Sequence, residues 1–234
     1  SLMSPAKSKH VAEWDPFDPQ SSADFFDPHW MFGRGLTDGF DVVIQNPPYI
    51  SHEKLHASTK AAVARYDCWE PFADIYCYFI ERAMQLLRSG GVSCSITSNS
   101  FLRADYGGPL RNVVSTKCRV RSLVSIDKSQ VFTNAIVNVA ILLFSKDAKR
   151  GQENAYCGCR SSWESGTFEE HMLAHSFECS NSSLFRGVWS LSKKAELEIL
   201  SKIESEKKSL AGRNAKIRLG LATGSNDAFL ISRE

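Results

Sequence analysis

The sequence predicts an α/β fold built on a mostly parallel, doubly wound sheet. Three observations carry that prediction: a short β-branched run at Val42-Val43-Ile44, helical periodicity from Ala73 to Leu87, and a second strand-like run after Gly90-Gly91. Strands and helices that alternate in this way bury a sheet between helical layers.

Residues 1–39 are rich in proline, aspartate and aromatic residues, as in Trp14-Asp15-Pro16-Phe17-Asp18-Pro19, and read as an irregular approach to the first strand. Phe40 to Gln45 has the short length and β-branched content of a strand buried on both faces. From Ala73 to Leu87 the apolar residues Ile75, Phe79, Ala83, Leu86 and Leu87 recur at helical spacing, and Gly90-Gly91 is the expected stop. Val92 to Thr97 reads as a strand and Leu110 to Thr116 as a helix. Leu123 to Ile126 and Ile136 to Phe144 read as strands, the second long enough for a central or hairpin position. Residues 151–189 are polar and contain Cys157-Gly158-Cys159, Trp163 and Trp189, which suggests short strands or a hairpin peripheral to the sheet. Ser192 is placed to cap a helix from Lys193 to about Lys208, with Leu197, Leu200 and Ile203 on its apolar side.

Composition narrows the class without naming it. A chain of 234 residues, 43% of them hydrophobic, is long enough to bury a real core. No apolar run approaches the roughly 20 residues that cross a bilayer, and no signal peptide precedes His10, so no membrane partner is expected. The seven cysteines are an odd count in unrelated contexts, which fits a reducing cytoplasm better than a disulfide framework. A net charge of +2 is low for a protein that grips nucleic acid over a wide surface. Any positive face must be local, or the main gripping domain must lie elsewhere in a longer polypeptide.

The most informative residues are Asn46-Pro47-Pro48-Tyr49, directly after the first strand. They stand at its carboxyl end, where open α/β sheets place their ligands. Two consecutive prolines fix φ and bring no N–H donors, so the turn is stiff and its carbonyls are free to accept. An exocyclic amino group has two N–H bonds to be held. The amide oxygen of Asn46 and the carbonyl of Pro47 can take one each, drawing the nitrogen lone pair out of conjugation and toward a methyl donor. Tyr49 offers a flat face for a base, an interaction worth about 1 to 3 kcal/mol.

The segment from Gly39 to Ile50 resembles motif IV of the amino-group DNA methyltransferases. More narrowly, it is similar to the adenine-N6 methyltransferase part of bacterial type II restriction-modification enzymes, including those that fuse endonuclease, methyltransferase and specificity domain. Ala73-Asp74-Ile75-Tyr76 through Leu87 is similar to the helix after that motif, and Gly90-Gly91-Val92 to Phe101-Leu102 to the next turn, strand and loop. Val131-Phe132, followed by Asn138 to Phe144, resembles motif VIII and the last core strand. The resemblance implies a Rossmann-like, S-adenosylmethionine-dependent methyltransferase sheet that lacks its N-terminal half and carries a C-terminal extension. It implies three parts: residues 1–150 as the catalytic half, 151–212 as a connector, and 213–234 as the start of a target-recognition domain. It also implies roles. Asn46 and Pro47 would accept from the adenine amino group, Pro48 would stiffen the turn, Tyr49 would stack on the ring, and Phe132 would contact its other side. Phe79 would pack against the cofactor adenine, and Asp24 would accept from that adenine's amino group.

The partner so implied is double-stranded DNA with its target adenine flipped out. The early glycine-rich cofactor loop of this class is not recognisable in residues 1–40, where Gly33, Gly35 and Gly39 lack a preceding strand and following helix. The chain is therefore expected to be an internal fragment, with the main cofactor loop, target recognition and any endonuclease on the remaining domains. No Pro-Cys dipeptide supports a covalent cysteine mechanism, so transfer would be direct.

Other readings stay open at this point. The same turn occurs in enzymes that methylate protein glutamine or RNA guanine-N2, and an inactive scaffold is a further reading of the fragment alone. His52-Glu53-Lys54-Leu55-His56 matches the His-Glu-x-x-His pattern of zinc peptidases, which needs both histidines on one helix and a third ligand such as Glu70 or Glu81. His171 and His175 are also one turn apart, and a solvated helix face is the expected reading. Asp74 is expected to cap the helix after the turn.

Overall fold

The computed structural model describes residues 5–15, 38–126, 138–147, 155–161, 166–180, 184 and 187–191, with 195–196, 198–199 and 202–203 beyond them. The chain divides into two units, Ser1–Leu191 and Ser192–Glu234. In the second unit the described residues are helical, as expected around Lys193 to Lys208, while Ser192, Leu197 and Leu200 lie outside the described residues.

In the first unit the elements run α1 (Pro5–Glu13), β1 (Phe40–Gln45), α2 (Ala57–Val63), α3 (Ile75–Leu86), β2 (Leu87–Ser98), α4 (Gly108–Lys117), β3 (Arg119–Ile126), β4 (Val139–Ser145), β5 (Ala155–Ser161), α5 (Phe168–His175) and β6 (Ser176–Ser180). The six strands form one sheet in the order β1-β2-β4-β3-β5-β6. The α/β class is as expected, but the sheet is mixed. β1 with β2 and β3 with β5 are parallel, whereas β4 runs antiparallel to both neighbours and β6 antiparallel to β5. β4 takes a central position, one of the two that its length allowed. The polar stretch after residue 151 adds β5 and β6 to the same sheet, with α5 between them.

β2 explains how the layers are stacked. Ser93, Ser95 and Thr97 are fully buried on one face, while Val92, Cys94 and Ile96 alternate with them and are half-buried on the other. The small hydroxyl side chains let α3 approach closely on their side. That face carries the main core, in which Tyr76, Ile80, Leu87, Phe101, Leu110, Leu123, Leu142 and Phe144 are almost wholly buried. Each such side chain contributes about 1.5 to 3 kcal/mol of transfer free energy. The opposite face is closed at β3 and β5, where Val124, Ile126 and Cys159 pack with Ile141 and Met172 of α5. Over β1 it is open.

That opening corrects the expectation for the first strand. β1 is an edge strand, so Val42 is 57% and Ile44 79% exposed, and only Val43 packs against the main core. The buried face of α3 is only partly the one expected: Ala83 and Leu87 are buried and Ile75 packs against the core, but Tyr76, Cys77, Ile80 and Met84 are buried beside them, and Phe79 is 39% exposed. The glycine pair does not stop the helix. Leu87 is already extended, and Gly90-Gly91 sits in a bulge where β2 runs from Leu87 to Val92 against only Phe40 to Val42 of β1. A Cβ on Gly91 would lie 2.8 Å from the Phe40 carbonyl oxygen, so the close pairing of the two strands requires glycine there.

Two buried charges hold the loops. The Glu81 carboxylate accepts from the backbone N–H of Asp67 at 3.1 Å and Cys68 at 2.7 Å, and from Gln85 Nε2 at 3.0 Å. It fastens the turn after α2 to α3. Arg111, buried in α4, donates to the carbonyls of Phe101, Ala104 and Gly187. Burial lowers its pKa, with Asp105 acting in the opposite direction. Gly107 is needed beside it, because a Cβ there would overlap the Phe101 carbonyl. Trp189 completes this corner: its N–H donates to the Leu102 carbonyl at 2.8 Å and its indole Nε1 to that of Leu184 at 2.9 Å.

Among the described residues no helix is long and apolar enough to cross a membrane. Glu81→Ala should lower stability by about 2 kcal/mol in urea titrations, because the buried Cys68 N–H and the partly buried Asp67 N–H lose their acceptor. Glu81→Gln, which keeps one acceptor oxygen, should cost clearly less; equal losses would mean that packing alone is at stake.

Candidate active site

The carboxyl ends of β1, β2, β3 and β5 and the amino end of β4 lie along one rim of the sheet. The Asn46-Pro47-Pro48-Tyr49 turn leaves β1 at this rim. Pro47 is buried, whereas Asn46 and Pro48 are exposed and Tyr49 is 38% exposed. The turn is thus anchored by one proline and presents its polar amide outward. Burial pushes the Tyr49 phenol up from its ordinary value, so the ring stays neutral through the physiological range.

Two hydrogen bonds fix the chain leaving the turn to the start of α3. The Ile50 carbonyl accepts from Ile75 N at 3.1 Å, satisfying one of the helix's otherwise unpaired N–H groups. Asp74 stands at the N-cap position, as expected, but makes no side-chain bond to its own helix. Its Oδ1 instead accepts from His52 N at 3.3 Å, and its Oδ2 accepts from Tyr106 at 3.4 Å. The Tyr106 hydroxyl lies 2.9 Å from that of Tyr76. Burial raises the pKa of both phenols, which keeps this chain of hydroxyls uncharged beside the carboxylate.

Gln45, the residue before the turn, was not singled out by sequence reasoning. Its Nε2 donates to the Phe79 carbonyl at 3.2 Å and to Ser95 Oγ at 2.9 Å. The end of β1 is thereby tied to α3 and β2, and the exposed Phe79 is brought beside the turn. The available signal was a lone amide at the end of an apolar run, on the face that Val43 buries.

Among the other site residues predicted from sequence, Phe132 and Asp24 lie outside the described residues. The His-Glu-x-x-His pattern is not a helix here, which corrects the premise of a peptidase site. His52 to Lys54 form a single 3₁₀ turn, Leu55 is extended, and His56 caps α2 by accepting from Ser58 N. The His52 ring packs edge-on to Phe72, with centroids 5.2 Å apart. Glu81 is committed to backbone donors. No group of three or more His, Cys, Asp and Glu suited to a metal occurs among the described residues. His171 is buried on α5, against the expectation of a solvated face, and stacks at 4.8 Å on His175, which remains exposed. None of the seven cysteines is in a disulfide; burial pushes Cys118 up to about 12 and raises Cys68, Cys77, Cys94 and Cys179, so none of these five is a ready thiolate.

Comparison with known proteins bears on the family and the fold. The model of the Eco57I restriction-modification methylase family matches residues 4–132. The type II methyltransferase M.PaeR7I of Pseudomonas aeruginosa is 26% identical over 208 residues, covering 83% of this chain and 36% of that protein. The type II restriction enzyme and methyltransferase RM.Eco57I of Escherichia coli is 26% identical over 198 residues, covering 82% of this chain and 19% of that protein. The chain therefore spans well under half the length of these curated relatives. Among solved structures, the modification subunit of a putative type I restriction enzyme from Vibrio vulnificus YJ016 has a TM-score of 0.51 at 17% identity, over 71% of this chain and 40% of that one. That likeness is one of fold, and it bears out the methyltransferase-type sheet expected from the motifs. With the family's model covering more than half of its residues, the chain belongs to the Eco57I restriction-modification methylase family.

Proposed function

We propose that this chain forms the methyl-accepting side of a site-specific DNA methyltransferase that modifies the N6 amino group of an adenine flipped out of duplex DNA. The observation that carries the reading is the clamped turn. Asn46 is exposed above a buried Pro47, at the end of a strand pinned by Gln45 and next to the start of a helix. In this reading the Asn46 amide oxygen and the Pro47 carbonyl each accept one N–H of the amino group. Holding both bonds turns the nitrogen lone pair away from the ring, and the fixed geometry supplies positioning and electrostatic stabilisation without a covalent intermediate. Tyr49, kept neutral, stacks on the base, and Phe132 contacts its other side. Extrusion of the base costs a few kcal/mol, which stacking and these hydrogen bonds offset.

S-adenosylmethionine, when bound, supplies the electrophilic methyl group. The residues present fit it on one side: Phe79 exposes an aromatic face one hydrogen bond away from the turn, although its helix neighbours are buried. Asp24 is the proposed acceptor for the cofactor's adenine amino group. The main glycine-rich cofactor loop, the target-recognition domain beginning near residue 213 and any endonuclease belong, in this proposal, to other parts of the polypeptide. Residues 1–150 are the catalytic part and 151–212 the connector.

In the full-length protein, Asn46→Ala should reduce methyl transfer to DNA by about 100-fold or more while leaving cofactor affinity unchanged. Retained transfer would remove the turn from the chemistry. Phe79→Ala should weaken S-adenosylmethionine binding about tenfold in calorimetry, in line with the ~1 to 3 kcal/mol of a stacking contact. An unchanged affinity would return Phe79 to the surface.

A further inference from the structure

Beside the turn, the same rim holds a second concave feature. It is a cavity of about 310 Å³ that begins at Asn99, at the end of β2, and reaches Arg160 on β5. Its floor is apolar and buried: Leu102, Trp189 and Leu191 are each at most 4% exposed. Its polar lining among the described residues is Asn99, Ser100, Ser125, Asn138 and two guanidinium groups, Arg103 and Arg160. In a chain with a net charge of only +2, two exposed arginines over one hollow bring cationic side chains together locally.

The walls are held in place. Asn99 Nδ2 donates to Ser125 Oγ at 3.1 Å, and Asn99 N donates to the Asn138 carbonyl at 3.1 Å, joining the ends of β2, β3 and β4. The loop that carries Arg103 is fixed by Arg111 through the carbonyls of Phe101 and Ala104, and by Trp189 N bonded to the Leu102 carbonyl. Arg111 itself is buried and used up by backbone, so it is not the cation offered to a ligand. Arg103 and Arg160 are exposed.

Position identifies the ligand class. Strands lie about 4.8 Å apart, so the cavity starts one strand from the Asn46 turn and ends four strands away, within about 20 Å. A DNA strand rises 3.4 Å per nucleotide, so this distance corresponds to roughly six nucleotides. We propose that the cavity receives a backbone phosphate of the strand carrying the target nucleotide, with Arg103 and Arg160 as its two cationic contacts. Guanidinium forks match phosphate oxygens. The contact sets register along the strand and carries no base information. The proposal rests on the reading of the chain as a DNA methyltransferase.

The test is the salt dependence of DNA binding by the full-length protein, followed by fluorescence anisotropy with a labelled duplex of mixed sequence. Neutralising both arginines (R103Q with R160Q) should weaken binding about tenfold at low salt and lower the slope of log K against log salt by about one unit. The lysine pair (R103K with R160K) should restore the slope, which a merely structural role would not do. Both side chains are exposed, and an unchanged melting temperature checks the fold. An unchanged slope in the glutamine pair overturns the phosphate site; if Asn46→Ala still abolishes transfer, the reading of the turn survives. Weakened S-adenosylmethionine binding with an unchanged slope assigns the arginines to the cofactor carboxylate and also overturns the proposal. No DNA binding by the unaltered protein sinks both readings together.

Discussion

The register of β2 is the constraint on which the rest depends. It pairs parallel with β1 on one side and antiparallel with β4 on the other, so the end of β1 and the start of β4 arrive at the same rim. A slip of one residue would turn Ser93, Ser95 and Thr97 toward the open face and push Val92, Cys94 and Ile96 against α3. The close approach of α3 would be lost, and with it the bond between Gln45 and the Phe79 carbonyl. The bulge at Gly90-Gly91 absorbs the mismatch between the end of α3 and the start of the ladder, leaving the register after Val92 regular.

The rim is stiffened by buried polar groups paired with backbone rather than with opposite charges. Glu81 takes two backbone N–H groups and Arg111 three carbonyls, all in turns, loops or a short 3₁₀ segment between the main elements. Such an arrangement satisfies loop backbone that burial would otherwise leave orphaned. It also removes freedom from the loops before any ligand arrives. A site that works by positioning an amino group benefits from that rigidity, because the ordering cost is met on folding rather than on binding. The groups left exposed at the site are the Asn46 amide, the Tyr49 and Phe79 rings, and the arginines of the neighbouring cavity.

What was legible in the sequence was local. The turn is written in four adjacent residues, and its position follows from the strand before it. The alternation from β1 through α3, β2, α4 and β3 to β4 followed from periodicity, while the length of β4 left a central and a hairpin place equally open. What depends on distant partners was not legible. Gln45 acts on a carbonyl 34 residues away, and Arg111 reaches one 76 residues away. The inward face of α3 was only partly legible, because Phe79 fits helical spacing as well as Tyr76 and Ile80 do; Ala83 and Leu87 are buried as their spacing suggested, and packing, not periodicity, turned Phe79 outward. β1 looked fully buried because its composition is that of an inner strand, while its place at the edge is a property of the sheet. The His-Glu-x-x-His pattern misled for a local reason, since Leu55 leaves the helical region and breaks the face that the pattern needs.

The most direct measurement of the central claim is the identity of the methylated atom. The full-length protein would be incubated with S-adenosylmethionine labelled in its methyl group and a long unmethylated duplex of mixed sequence, and the DNA digested to nucleosides. The account predicts that the label is recovered as N6-methyladenine. Recovery in a methylated cytosine, or transfer to RNA or protein with none to DNA, would contradict it.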